Sequence, residues 1–185
     1  MIARDGKKMI GLWLEEGIFG EKLPEVEKLK GVPQPEEYHG EGDAFVHTML
    51  AVEEVADDAD IRVFWATLLH DIGKSVTTEL VGGRWRSFGH AEAGAGMTAA
   101  IMDRLDMTQF SQDVTWLVKN HLFHFSWQIK PHAKLTRNQL RFMEHPLFPL
   151  LLEVCAADAA ASIGKNTRKT EMLKMITELF ADLKK

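Results

Sequence analysis

Cysteine is nearly missing: among 185 residues there is one, Cys155. A lone cysteine excludes an intramolecular disulfide and any thiolate metal site, and it fits a reducing cytoplasm. No apolar run reaches the ~18 to 20 residues that span a bilayer. The opening Met1-Ile2-Ala3-Arg4-Asp5-Gly6-Lys7-Lys8 lacks the apolar region of a signal peptide, so a cytoplasmic location is expected. An excess of positive charge is missing too. Lys+Arg 22 against Asp+Glu 27 gives a net charge of -5, which argues against broad electrostatic binding to DNA or RNA but leaves room for a local basic pocket. Strand-like alternation, internal repeats and low-complexity segments are all lacking. What is present, 45% hydrophobic and 26% charged residues, is the balance of a soluble globular domain. The expected fold is all-α, a single-domain helical bundle.

Taken in order, residues 9–19 and 24–29 read as short helices broken by Gly17, Gly20 and Pro24. Their charge and brevity make residues 1–42 an N-terminal flank, with the main domain running over 43–185. Residues 31–43 carry two prolines and three glycines and read as extended, and Asp43 is a candidate N-cap. Phe45, Met49, Val52 and Ala56 then recur at helical spacing, with His47 at the edge of the stripe. Residues 61–69 are apolar on nearly every face, which predicts a buried helix that delivers His70 and Asp71 at its end, before Gly73. Residues 75–89, with Gly82-Gly83 and Arg84-Trp85-Arg86, read as a long functional loop or a short hairpin. His90 opens a helix to about Leu105 whose Ala91, Ala93, Gly94, Ala95 and Gly96 suit close helix contact.

From about Ser111, a helix puts Val114, Leu117, Val118, His121 and His124 on one inward face. Arg137 and Arg141 share a face of a short helix starting near Thr136. In residues 147–162 an apolar stripe of Leu147, Leu150, Leu151 and Val154 runs into Asp158, a carboxylate where a core leucine is expected. The last helix, residues 168–183, is amphipathic through Met172, Ile176, Leu179, Phe180 and Leu183, and closes the bundle.

Burying an ionised aspartate without compensation costs several kcal/mol, so the His70-Asp71 pair needs a cation. A bound metal meets that need; Lys74 or a buried arginine is the alternative. The inward polar set is His47, His70, Asp71, His90, His121, His124 and Asp158. Imidazole and carboxylate without thiolate suit Mn, Fe, Co, Ni, Zn or Mg. One ion is satisfied by His47, His70, Asp71 and Asp158, which leaves His90 and His121 to hold a second with Asp71 bridging.

This order, His, then His-Asp, then Asp, resembles the HD superfamily of metal-dependent phosphohydrolases. Gly31-Val32-Pro33-Gln34, His39-Gly40-Glu41-Gly42-Asp43, His47-Thr48, His70-Asp71-Ile72-Gly73-Lys74, Phe88-Gly89-His90 and Ala157-Asp158 are similar to the HD region of bacterial tRNA nucleotidyltransferases and poly(A) polymerases. The similarity runs from about residue 11 to about residue 162. Ala91 stands where that group usually has Glu, and Gly40 where it often has Pro. Those polymerases carry a catalytic head with paired aspartates on a sheet. The Asp58-Ala59-Asp60 here falls between two helices, so nucleotide addition is not expected.

What the resemblance implies is hydrolysis of a phosphomonoester or phosphodiester by a metal-bound hydroxide. The metal acidifies its water and polarises a phosphoryl oxygen; two ions lie about 3.5 to 4 Å apart in such sites. The implied substrate is a nucleotide, another phosphorylated small molecule or an RNA 3′ end. Asp71 and Lys74 are the candidate catalytic residues, Lys74 reaching the phosphate as a point charge. Lys74, His124, Arg84 and Arg86 are candidate substrate contacts; Trp85, Phe88, Phe123 and Trp127 fit a base pocket or an ordinary core equally. The competing expectation is a non-catalytic nucleotide- or RNA-binding module that retains the metal or only its scaffold.

Overall fold

The computed structural model describes residues 1–35, 40, 42–127, 129, 134–162 and 167–184, without the side chains of 167–169. His39 and Glu41, quoted above, lie outside the described residues. Twelve helices and one hairpin are described: α1 (Ala3–Glu15), α2 (Phe19–Lys22), α3 (Pro24–Glu27), α4 (Ala44–Glu54), α5 (Ile61–Leu69), α6 (Lys74–Thr77), β1 (Thr78–Val81), β2 (Arg84–Ser87), α7 (His90–Arg104), α8 (Ser111–Asn120), α9 (Phe123–Ser126), α10 (Arg137–Met143), α11 (Phe148–Ala161) and α12 (Thr167–Leu183). A 3-10 turn, Thr108–Phe110, precedes α8. The fold is all-α. No helix among the described residues is long and apolar enough to cross a membrane.

The core is organised around α5. Every residue of it except Arg62 is buried, as its unrelieved apolar run requires. Helices α1, α4, α8 and α11 all pack on it. Phe64 and Trp65, both fully buried, anchor this contact; complete burial of such a side chain contributes about 1.5–3 kcal/mol. Helix α7 lies along α8, the close contact that its small residues suit. Helix α12 packs on α11 and α9 and buries Leu173 and Ile176. Helices α1 to α3 also feed the core, through Ala3, Ile10, Phe19 and Val26.

Asp43 caps α4 as expected: its Oδ1 accepts from Phe45 N at 2.9 Å and Val46 N at 3.0 Å. Three expectations need correction. The first helix begins at Ala3 and not near Met9. Its early amides are satisfied from far along the chain, Ala3 N donating to Ala59 O at 2.8 Å and Arg4 N to Asp57 O at 3.0 Å. Strand structure is present: β1 pairs antiparallel with β2, so residues 78–87 take the hairpin alternative. Gly82 and Gly83 both have positive φ, +57° and +76°, which is the geometry of the tight primed turns that match strand twist. Finally, α8 stops at Asn120, so His121 caps it and His124 sits on the separate α9. Both histidines are nonetheless buried.

Candidate metal centre

Five elements converge on Asp71. Helix α4 supplies His47, the end of α5 supplies His70 and Asp71, α7 opens with His90, the end of α8 supplies His121, and α11 supplies Asp158. His47, His70, Asp71, His121 and Asp158 are all at most 3 % exposed, and the His90 side chain is 11 % exposed. Close approach of α7 depends on Gly73. A Cβ there would lie 2.1 Å from the His90 carbonyl oxygen and 2.7 Å from Gly94 N, so any side chain would drive the two segments apart.

The carboxylate of Asp71 faces two ways. Its Oδ2 lies 3.1 Å from His70 Nε2 and 3.9 Å from His47 Nε2, and its Oδ1 lies 3.3 Å from His90 Nε2 and 4.0 Å from His121 Nε2. Asp158 Oδ1 closes the first group, 3.1 Å from His47 Nε2 and 3.9 Å from His70 Nε2. Two groups with metal-ligand spacing result, His47-His70-Asp71 and Asp71-His90-His121, joined through Asp71.

Tautomers decide what these contacts mean. The Nδ1 atoms of His70, His90 and His121 each lie 2.7 Å from the carbonyl oxygen three residues earlier, of Thr67, Ser87 and Val118. A carbonyl only accepts, so each Nδ1 carries the proton and donates it, which leaves a lone pair on each Nε2 of the neutral ring. The 3.3 Å approach of His90 Nε2 to His121 Nε2 therefore sets two lone pairs face to face, with a carboxylate oxygen beside them. His70 Nε2 is buried without a hydrogen-bond partner, and the close cation at Asp71 Oδ2 is the Lys74 ammonium. Such a cluster of acceptors is repulsive by itself and complementary to a cation, so the residues present fit a divalent metal. Carbonyl-anchored imidazoles are the usual arrangement behind metal-ligating histidines.

The electrostatics agree. Burial lowers the His121 pKa to about 3, helped by His70 and His90, and burial likewise lowers that of His90 against the pull of Asp71. Both rings are neutral, ready to ligate, near pH 7. Burial raises the Asp71 pKa, but His70, Lys74 and His90 outweigh it and hold the carboxyl well below its usual range.

Lys74 is part of this cluster. Its ammonium lies 2.7 Å from Asp71 Oδ2 and donates to Gln34 Oε1. The cationic partner considered above for Asp71 is thus present, but it meets one oxygen of one carboxylate and leaves the imidazole lone pairs unanswered. His124 is buried between the rings of Phe123 and Phe125 and belongs to neither ligand group. Arg84 is exposed and Arg86 half-buried on β2, while Arg137 and Arg141 are exposed on α10. Phe123 and Trp127 pack with Phe142 and Phe148, whereas Trp85 and Phe88 are exposed. Gln34 had no role assigned from sequence, because nothing local links it to a lysine forty residues on.

Comparison with known proteins agrees with this geometry. The model of the HD domain family matches residues 43–163. A multifunctional CCA protein of Alkalilimnicola ehrlichii is 32% identical over 90% of this chain and 41% of its own length. Those of Halorhodospira halophila and Pseudomonas syringae pv. syringae are each 36% identical, over 70% and 82% of this chain and 29% and 38% of their own lengths. The chain thus spans about two fifths or less of these relatives. With the family match covering the cluster from His47 to Asp158, the chain belongs to the HD domain family.

Proposed function

We propose that this protein is a metal-dependent phosphohydrolase acting on a phosphomonoester or phosphodiester of a nucleotide or RNA end. The observation that supports it is the convergence of four Nε2 atoms on the two Asp71 oxygens, with three Nδ1 atoms committed to backbone carbonyls. His47, His70, Asp71 and Asp158 would hold one divalent ion, and Asp71, His90 and His121 a second. The ion supplies positive charge that acidifies water and polarises a phosphoryl oxygen. The protein's own groups do the rest. The Thr67, Ser87 and Val118 carbonyls keep the imidazoles neutral and aimed inward. Asp71 stays ionised, the form that binds a cation or accepts a proton. Lys74 offers an ammonium to the anionic ester. His124, Arg84 and Arg86 remain candidate substrate contacts. Residues 43–185 form the hydrolytic domain and 1–42 its flank. The resemblance to the HD region of tRNA nucleotidyltransferases favours an RNA end among the possible esters.

The test is elemental analysis of the purified protein, with turnover of a generic phosphodiester and a phosphomonoester across Mn, Ni, Co and Mg. Asp71→Ala is expected to abolish both metal content and turnover while the helical circular dichroism persists. Unchanged turnover in that variant would end the hydrolase reading. Absence of both bound metal and turnover under any ion would favour the alternative, a non-catalytic nucleotide- or RNA-binding module.

A further inference from the structure

Gln34 is buried, at 4 % exposure, in a stretch whose prolines and glycines otherwise suit a surface loop. Its backbone amide donates to Gly42 O at 3.1 Å, and its Nε2 donates to Asp43 O at 3.3 Å. Pro33 and Asp43 pair as an antiparallel bridge on either side of these contacts. The amide oxygen of Gln34 is thereby aimed at Lys74 by bonds that do not involve Lys74.

Lys74 divides its ammonium between Gln34 Oε1 and Asp71 Oδ2. That same Oδ2 is the Asp71 oxygen nearest His70 Nε2 and His47 Nε2. An ammonium and a divalent ion therefore compete for one oxygen, and their repulsion is strong where water is excluded. A buried ammonium that gives up its carboxylate needs another acceptor. Gln34 Oε1 is already in place as that acceptor. The other group, with His90 and His121, uses Asp71 Oδ1 and stands outside the competition.

We infer that Gln34 is a positioning residue: it takes over the Lys74 ammonium when a divalent cation claims Asp71 Oδ2, and keeps that charge at the site for an anionic substrate. The inference rests on the reading of the cluster as a divalent-metal site for phosphate esters. Without Gln34, Lys74 either stays on Asp71 and opposes the ion, or leaves for solvent and its charge is lost to the substrate.

The test is titration of the full chain with Mn²⁺, read by calorimetry and by the electron paramagnetic resonance of free Mn²⁺. Wild type is compared with Gln34→Met, Lys74→Met and the double variant. Gln34→Met is expected to weaken one class of Mn²⁺ site by about tenfold, the scale of residues that support metal ligands, and to spare the other. Lys74→Met is expected to tighten that same class, and the Gln34→Met effect is expected to vanish in its background. Gln34→Glu, which retains an acceptor, is expected to bind Mn²⁺ at least as well as wild type. For an anionic ester, Gln34→Met is expected to raise KM more than it lowers kcat. A Gln34→Met loss that persists without Lys74, or a Lys74→Met variant that binds Mn²⁺ no better than wild type, would overturn the inference. Should Gln34→Met not fold, the Lys74→Met and Gln34→Glu titrations still decide it. The coupling without ester turnover would uphold Gln34's role and refute the hydrolase; turnover without the coupling would do the reverse. Absence of Mn²⁺ binding by wild type would overturn both.

Discussion

Asp71 Oδ1 faces His90 and His121 while Oδ2 faces Lys74, His70 and His47, so a single carboxylate serves two groups of ligands. The two groups separate by substitution. His90→Ala is expected to lower bound metal from two ions to one, measured by elemental analysis, because His47, His70 and Asp158 do not depend on it. The residue types in both groups were legible in the sequence, since a histidine or aspartate inside an apolar helical stripe stands out. Their tautomers were not. Each depends on a backbone carbonyl brought to 2.7 Å by a turn at or near a helix end, and side-chain pattern carries no trace of that.

At the scale of elements, the site depends on how helices meet and how they begin. Gly73→Ala would set a Cβ 2.1 Å from the His90 carbonyl oxygen. Relieving that clash moves α7 away from Asp71 at an expected cost of about 1–3 kcal/mol. Urea unfolding measures the destabilisation, and loss of one ion from the metal stoichiometry reports the displaced His90. Asp43 caps α4 with two side-chain hydrogen bonds and also accepts from Gly31 N at 2.6 Å. Asp43→Ala is expected to cost about 1–2 kcal/mol in thermal or urea unfolding. Helix positions were largely readable from periodicity and caps. The start of α1 was not, because its first amides bond to carbonyls of residues 57 and 59, nor was the end of α8 before His121.

For the whole molecule, the buried site sets the response to acid. The folded pKa of His121 is about 3, below the value near 6.5 of an unfolded histidine. Between those two values the unfolded chain binds a proton that the folded chain refuses, so stability rises with pH there and is lost on acidification. Asp71 works in the same direction: its depressed carboxyl favours the fold above the unfolded value near 4 and withdraws that support as pH falls. Metal-free protein is therefore expected to lose stability steadily from about pH 6.5 down to pH 3, measured as the urea midpoint across pH. Substituting His121 by a residue that does not titrate is expected to flatten that slope.

The sequence by itself determined the helical class, the buried axis of residues 61–69, the capped start of α4 and the inward histidines and aspartates that are candidates for a metal site, because apolar spacing and residue chemistry are local properties. It also kept the hairpin open as one of two alternatives for residues 75–89. Only the tertiary structure decided that His47, His70, Asp71, His90, His121 and Asp158 share one centre, and that Asp71 stands between its two halves. It also decided that Gln34 meets Lys74 and that His124 lies outside the ligand groups. Those are contacts between segments distant along the chain, and they exist because α4, α8 and α11 pack around α5 while Gly73 lets α7 come within reach.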